Sequence, residues 1–481
     1  VTSTKIDLTG GIHKPLTKKM KLIITLITFI FLNFNCMANS PIHFPQDFLF
    51  GIANAPGHVE DQLDDIWMEF GRDGNIKAFL NQHAPEERLQ FWTKPEVEIE
   101  LVAELGVQVF RLGVDWGRIH LGPGLFDYNA IQRYREIIQM IRNKKMKVML
   151  TLFHFSLPKW VQEQGGWTNP ATRNHFVEFS KIVMPEFSQQ VDYWITFNEP
   201  QVFATMAYTF GFFPPGVKGS TFQAIKSLNI MIEAHKEIYS WAHQKIKNPQ
   251  ISISQHMGYH TGKGAVNKTI SRFTGHFMNW YFPDRIKGFM DYFGFNYYGA
   301  EWIKGNSILI NKDREYSEAG RAIYPTGLYL ISKKIQKKFG NIPQFITENG
   351  VADATDIIRP SYLIEHLKAV AKLQSEKINI LGYIHWTITD NMEWSDGYCP
   401  KFGLVAVDRK NNLQRIKRNS FYLYQKIIQH MSIDQGMETS AWKLLQDNLG
   451  KSRPFCRSDD GKSGLDIPIE RGFSSHDWRF K

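Results

Sequence analysis

The sequence predicts one (β/α)8 TIM barrel of the α/β class, and three observations carry that prediction. Strand-like apolar runs alternate with amphipathic helical patterns along most of the chain, and eight such runs appear in succession. No Gly-x-Gly-x-x-Gly loop follows the first run, which argues against an open doubly wound sheet built to hold a dinucleotide. Polar and ionisable residues recur where the runs end, which is where barrel enzymes carry their working groups.

Residues 48–53 open the series. The run 109–114 follows an amphipathic stretch over 96–105, the run 147–153 follows 131–141, and the run 193–196 follows 176–187. A long helical pattern over 221–246 leads to the run 251–254, and the runs 293–297, 344–347 and 380–385 complete the set. Strands separated by helices imply a parallel sheet with crossover connections, and eight units imply closure. The barrel is expected over 41–435 as a single catalytic domain. Residues 436–481 are polar and Gly-rich and are expected as a C-terminal extension wrapping it.

Lys18, Lys19 and Lys21 precede an apolar run over 22–32, and the small residue Ala38 follows. That order predicts a signal peptide over 20–38, preceded by an upstream segment over 1–19. The run is short for a membrane span. A secreted or periplasmic location is expected, with association at a membrane surface as the weaker option.

Composition narrows the function further. Of 481 residues, 43% are hydrophobic and 22% charged, so the chain can bury a large core. Thirteen Trp and 35 Phe mostly fill that core, and some would serve as flat platforms for sugar rings. The formal charge is +10, yet no dense Lys/Arg run is interleaved with aromatics, which argues against nucleic acid as a partner. Beyond the signal segment only Cys399 and Cys456 remain, too few for a metal centre or a disulfide framework, and their pairing is left open. No cofactor or metal constellation is visible.

The run ends are more specific. The fourth continues into Thr196-Phe-Asn-Glu-Pro200 and the seventh into Thr347-Glu-Asn-Gly350. Arg111 lies in the second, His154 follows the third, Asn296-Tyr-Tyr298 closes the sixth, and Trp386 follows the eighth with Glu393-Trp394 beyond. Carboxylates at the mouths of strands four and seven would face each other across the barrel axis. Glycoside cleavage needs that pair, one acid to protonate the leaving oxygen and one carboxylate on the opposite face of the sugar.

These motifs resemble the paired signatures of glycoside hydrolase family 1, the β-glucosidase family, and the similarity runs over roughly residues 44–430. The resemblance implies a retaining mechanism with Glu199 as general acid/base and Glu348 as nucleophile. It implies Arg111 and Asn296 as supports of the nucleophile and Tyr298 as its hydrogen-bond partner. It also implies Asn198, His154, Glu393 and Trp394 as contacts to sugar hydroxyls, with Trp386 as a stacking floor. A retaining mechanism needs no metal.

Two positions depart from the family pattern. His58 stands where a glutamine usually grips hydroxyls, which bears on glucose against galactose, and Phe155 stands where Trp is common. Residues 51–61, 148–154, 315–321 and 401–409 are similar to a plant branch of the family whose activity is galactolipid galactosyl transfer. The leading expectation is hydrolysis of β-glucosides or β-galactosides. The alternative is transglycosylation from the same covalent intermediate, with a glycolipid as substrate. A 6-phosphoglycosidase is disfavoured by Glu393-Trp394, and a non-catalytic sugar- or lipid-binding barrel by the survival of both carboxylates.

Overall fold

The computed structural model describes residues 41–76, 88–305, 307–311, 313–457 and 467–481, so the expected upstream segment and signal peptide lie outside the described residues. Eight parallel strands close into a barrel. They are β1 (Leu49–Ala53), β2 (Val109–Gly113), β3 (Lys147–Phe153), β4 (Tyr193–Asn198), β5 (Ile251–His256), β6 (Phe293–Asn296), β7 (Gln344–Asn349) and β8 (Ile380–Trp386). Each pairs with the next, and β8 closes on β1 through Gly382 to Trp386 against Leu49 to Ala53.

Besides shorter helices in the loops, a long outer helix follows each strand: α1 (Pro95–Leu105), α2 (Tyr128–Asn143), α3 (Ala171–Phe187), α4 (Thr221–Lys245), α5 (Gly264–Arg285), α6 (Pro325–Phe339), α7 (Arg359–Ser375) and α8 (Asn419–His430). The starts and stops follow local chemistry. Proline opens α1, where its missing N–H costs nothing, and Gly106 ends it in the left-handed region at φ +77. Asp127 caps α2 by accepting from the Asn129 and Ala130 amides.

Strand alternation divides the core in two. Val109, Met149, Ile195, Phe345 and Ile384 fill the barrel interior together with Tyr292. Their chain neighbours Phe110, Leu112, Val148, Leu150, Trp194 and Ile346 belong to the larger layer shared with the helices. The regular pairing breaks near the top of the barrel. Register shifts fall between Ile195 and Asn198, between Phe295 and Asn296, and between Ile346 and Asn349. Such irregularities re-aim side chains, and all three sit where the chain passes Asn198-Glu199, Asn296 and Glu348.

The C-terminal part is more ordered than its composition suggests. Helix α9 (Gln435–Gln446) is followed by the antiparallel pair Ser452–Phe455 and Ile469–Gly472. Arg453 is fully buried and paired with Glu315 at 2.8 Å, and Glu315 also accepts from the Ser474 amide. Cys456 is bonded to Cys399, which answers the pairing left open by the sequence. Further on, Trp478 packs on Trp442 at 4.6 Å and the Phe480 amide donates to Glu365. The segment is thereby fastened to the loops after β6 and β8 and to α7. Among the described residues no helix is long and apolar enough to cross a membrane.

Candidate active site

The two motif carboxylates are held at the top of the barrel by a continuous hydrogen-bonded layer. Glu199 directly follows β4 and adopts the left-handed region (φ +40), a conformation that costs a non-glycine residue on the order of 1–3 kcal/mol. Pro200 then opens the short helix Pro200–Ala204 at once. Glu348 stays within β7, buried at 3% exposure.

Each carboxylate has its own supports. Arg111 Nη1 donates to Glu348 Oε1, and the Tyr298 hydroxyl donates to Oε2. Arg111 Nη2 continues to Asn198 Oδ1 at 2.8 Å, and Asn198 Nδ2 donates to His154 Nε2 at 2.9 Å. Asn296 Nδ2 donates to Asn198 Oδ1 (3.1 Å) and Glu199 Oε1 (2.9 Å). Glu348 and Glu199 are therefore joined through Arg111, Asn198 and Asn296. The role expected of Asn296 changes accordingly. It is the register partner of Glu348, but its amide serves Glu199, while its Oδ1 accepts from Ser254 and Thr347.

The residues around Glu348 have a fixing role. Asn349 Nδ2 donates to the Tyr297 carbonyl, and its Oδ1 accepts from the Tyr383 hydroxyl, so it ties β7 to both neighbouring strands. A Cβ on Gly350 would stand 2.0 Å from the Trp386 carbonyl oxygen, so only glycine lets the chain pass there.

Nine of the eleven expected site residues line one cavity of about 330 Å³, while Arg111 and Asn296 stand behind its wall. Trp386 and Trp394 pack against His58, with ring centroids 5.0 and 4.2 Å away. Phe155 packs on Trp394 at 5.2 Å.

Three buried polar atoms in this cavity have no hydrogen-bond partner among the described residues: His58 Nε2, His154 Nδ1 and Glu393 Oε2. His58 Nδ1 faces the Met392 carbonyl, so that nitrogen carries the hydrogen and Nε2 is an acceptor. His154 is the reverse: Nε2 accepts from Asn198, leaving Nδ1–H as a donor. Leaving such atoms unpaired costs about 1–3 kcal/mol each. Converging donors and acceptors of this kind suit a ligand dense in hydroxyls.

Electrostatics push the two catalytic carboxyl groups in opposite directions. Burial pushes Glu348 up to about 7 against the pull of Arg111, and the charge of Glu199 adds to the rise. Glu199 is buried too, but the charge and hydrogen bond of His256 outweigh burial and hold it below the usual carboxylate range. The two titrate as a unit. Burial keeps His58 neutral, down to about 3, and lowers His154 well below the usual imidazole range with help from Arg111. Glu393 is pushed well up by burial and by the carboxylates of Asp396, Glu348 and Glu199.

The cavity also has members that the sequence motifs did not single out. His256, at the end of β5, Glu301 and Arg321 line one side. Phe210, 43% exposed, lies at the mouth with the half-buried Met206, Phe212 and Ile308. Asp396 and Arg457 form an ion pair at the rim, and Arg457 comes from the C-terminal extension, one residue after the disulfide. His256 obeys the strand-end rule that found the others. Arg457 has no sequence signal, because its position depends on how the tail is fastened.

With this geometry in place, the likenesses are specific. The profile described as glycosyl hydrolase family 1 matches residues 40–284 and 281–433. The galactolipid galactosyltransferase SFR2, chloroplastic, of Arabidopsis thaliana is 35% identical over 92% of this chain and 83% of its own length. Beta-glucosidase A of Thermotoga maritima is 27% identical over 81% of this chain and 99% of its own. Among solved structures, the β-glycosidase from Pyrococcus horikoshii superposes with a TM-score of 0.76 at 26% identity. That match covers 84% of this chain and 98% of the other.

Proposed function

Because the chain belongs to glycosyl hydrolase family 1, we propose that it works as a retaining transglycosylase, moving a β-galactosyl group from one galactolipid to another. The observation that carries this reading is the two-part cavity. Its inner part presents the unpaired atoms of His58, His154 and Glu393 to a sugar. The same cavity is lined by the more exposed apolar side chains Met206, Phe210, Phe212 and Ile308, and by Arg321 and Arg457 in ion pairs with Glu301 and Asp396. A sugar carrying an apolar glycerolipid tail matches both parts. The relative that shares 35% of its residues is named for galactolipid transfer, which favours this reading over the hydrolysis expected first.

The chemistry follows from the two carboxylates. Glu348 attacks the anomeric carbon as the glycosidic bond breaks, and Glu199 delivers a proton to the departing oxygen. Arg111 and Tyr298 orient the attacking carboxylate and favour its ionised form against the effect of burial. The galactosyl group is then ester-linked to Glu348. An acceptor hydroxyl attacks the same carbon, its proton passes to Glu199, and Glu348 is released. Two displacements retain the β configuration. Water and sugar compete for the second step, and a mouth that binds a second glycolipid raises the local concentration of its hydroxyl.

Full-length protein incubated with β-galactosyl diacylglycerol in mixed micelles is expected to yield digalactosyl lipid and free diacylglycerol in matching amounts. Chromatography of the lipids together with a free-galactose assay reads this directly. Free galactose equal to the diacylglycerol, with no digalactosyl lipid, would return the protein to hydrolysis.

We also infer export of the protein, with the active-site mouth working at a membrane surface. The apolar run after Lys21 supports export, and the bond between Cys399 and Cys456 is of a kind that persists in oxidising compartments.

A further inference from the structure

A cluster of titratable side chains behind Glu199 has no task in the steps above. His256 is 4% exposed, with Nδ1 3.2 Å from Glu199 Oε1 and Nε2 3.5 Å from Glu301 Oε1. Glu301, on the strand Ala300–Lys304, is itself held by His260 Nε2 at 3.1 Å and by Arg321. One carboxylate thus faces each nitrogen of the same buried ring. A neutral imidazole offers one donor and one acceptor, whereas two ionised carboxylates call for two donors.

The geometry points to His256, oriented by Glu301, as a positioning residue that fixes the Glu199 carboxyl and biases it toward the ionised form that takes the acceptor's proton. This rests on Glu199 being the acid/base. The arrangement parallels a buried acid that orients a histidine toward a reacting group, with the reacting group here a second carboxylate. His256 is raised to about 9: burial opposes the charge, but Glu199 and Glu301 outweigh it, so the ring is charged at neutral pH. Other groups facing the pair are Arg321 and His260 around Glu301, Tyr298 after β6, Glu348 with Arg111, and Glu393.

The sign of the effect is fixed. A cation against Glu199 lowers its proton affinity, so removing that cation raises it. The basic limb of kcat/KM reports loss of the protonated acid in the free enzyme. His256→Asn should therefore move that limb up by about 1 pH unit on an alkyl β-galactoside, whose poorly acidic leaving alcohol needs the proton, the lower end of the usual effect of an adjacent opposite charge. A histidine acting only as packing would lower the rate and leave the limb in place, and that result overturns the inference.

Histidine-selective 15N NMR of the unaltered full chain provides a second test independent of variant folding. His256 is expected to be doubly protonated at pH 7 and to lose its proton at a lower pH in Glu301→Gln. A ring neutral at pH 7 in the unaltered protein contradicts the inference. Glu199→Ala in the same series separates the two levels. If it keeps the unaltered profile, the acid/base assignment and this inference both fall. If it is impaired while His256→Asn shows no shift, only the role of His256 falls.

Discussion

Glu348→Gln removes galactosyl transfer and hydrolysis together, with kcat/KM on an aryl β-galactoside falling on the order of 10⁴–10⁶-fold, the range seen when a covalent nucleophile is deleted. The amide is isosteric but cannot form the glycosyl ester, so no second path is left. Arg111 and Tyr298, which now point at a charge, would find a neutral amide instead. Initial rates with an aryl glycoside, alongside a thermal melt to show that the barrel persists, check the prediction. A variant keeping a tenth of the rate would place the nucleophile elsewhere.

Glu199→Ala should behave differently with each substrate. A galactolipid leaves as a poorly acidic alcohol and needs the proton, so its turnover falls roughly 10²–10⁴-fold. A nitrophenyl galactoside leaves without help, so its first step is nearly spared and the galactosyl enzyme accumulates. Azide should then restore turnover, because it attacks the anomeric carbon with no proton to lose, releasing Glu348 and forming β-galactosyl azide. Equal losses with both substrates and no azide product would mean that Glu199 is not the proton donor.

Much of this site was legible in the sequence, for a simple physical reason. A parallel barrel collects the ends of all its strands at one rim, so polar residues that close apolar runs must meet. Glu199, Glu348, Arg111, Asn198, His154 and Tyr298 meet in that way. The flanking residues of the motifs are also explained by contacts, Asn349 by its ties to Tyr297 and Tyr383 and Gly350 by the close Trp386 carbonyl.

What periodicity could not show was orientation within the rim. Asn296 closes the sixth strand, where its run ends, yet the register shift beside it directs its amide to Glu199. His256 carries no such signal because the apolar alternation of the fifth strand fades at Ser254, while the strand continues two residues further. The tail shows the limit most clearly. Arg453, Cys456 and Arg457 belong to a segment without periodicity, and their positions depend on partners more than fifty residues away.

Everything above turns on a galactosyl ester on Glu348 that passes to another sugar. The most direct measurement is mass spectrometry of the protein inactivated with an activated 2-deoxy-2-fluoro-β-galactoside, whose ester forms readily and turns over slowly. One added fluorogalactosyl group per chain is expected, located by peptide mapping on Glu348, with faster reactivation by added galactolipid than by buffer alone. A label on any other residue, or a chain inactivated without a covalent label, would contradict it.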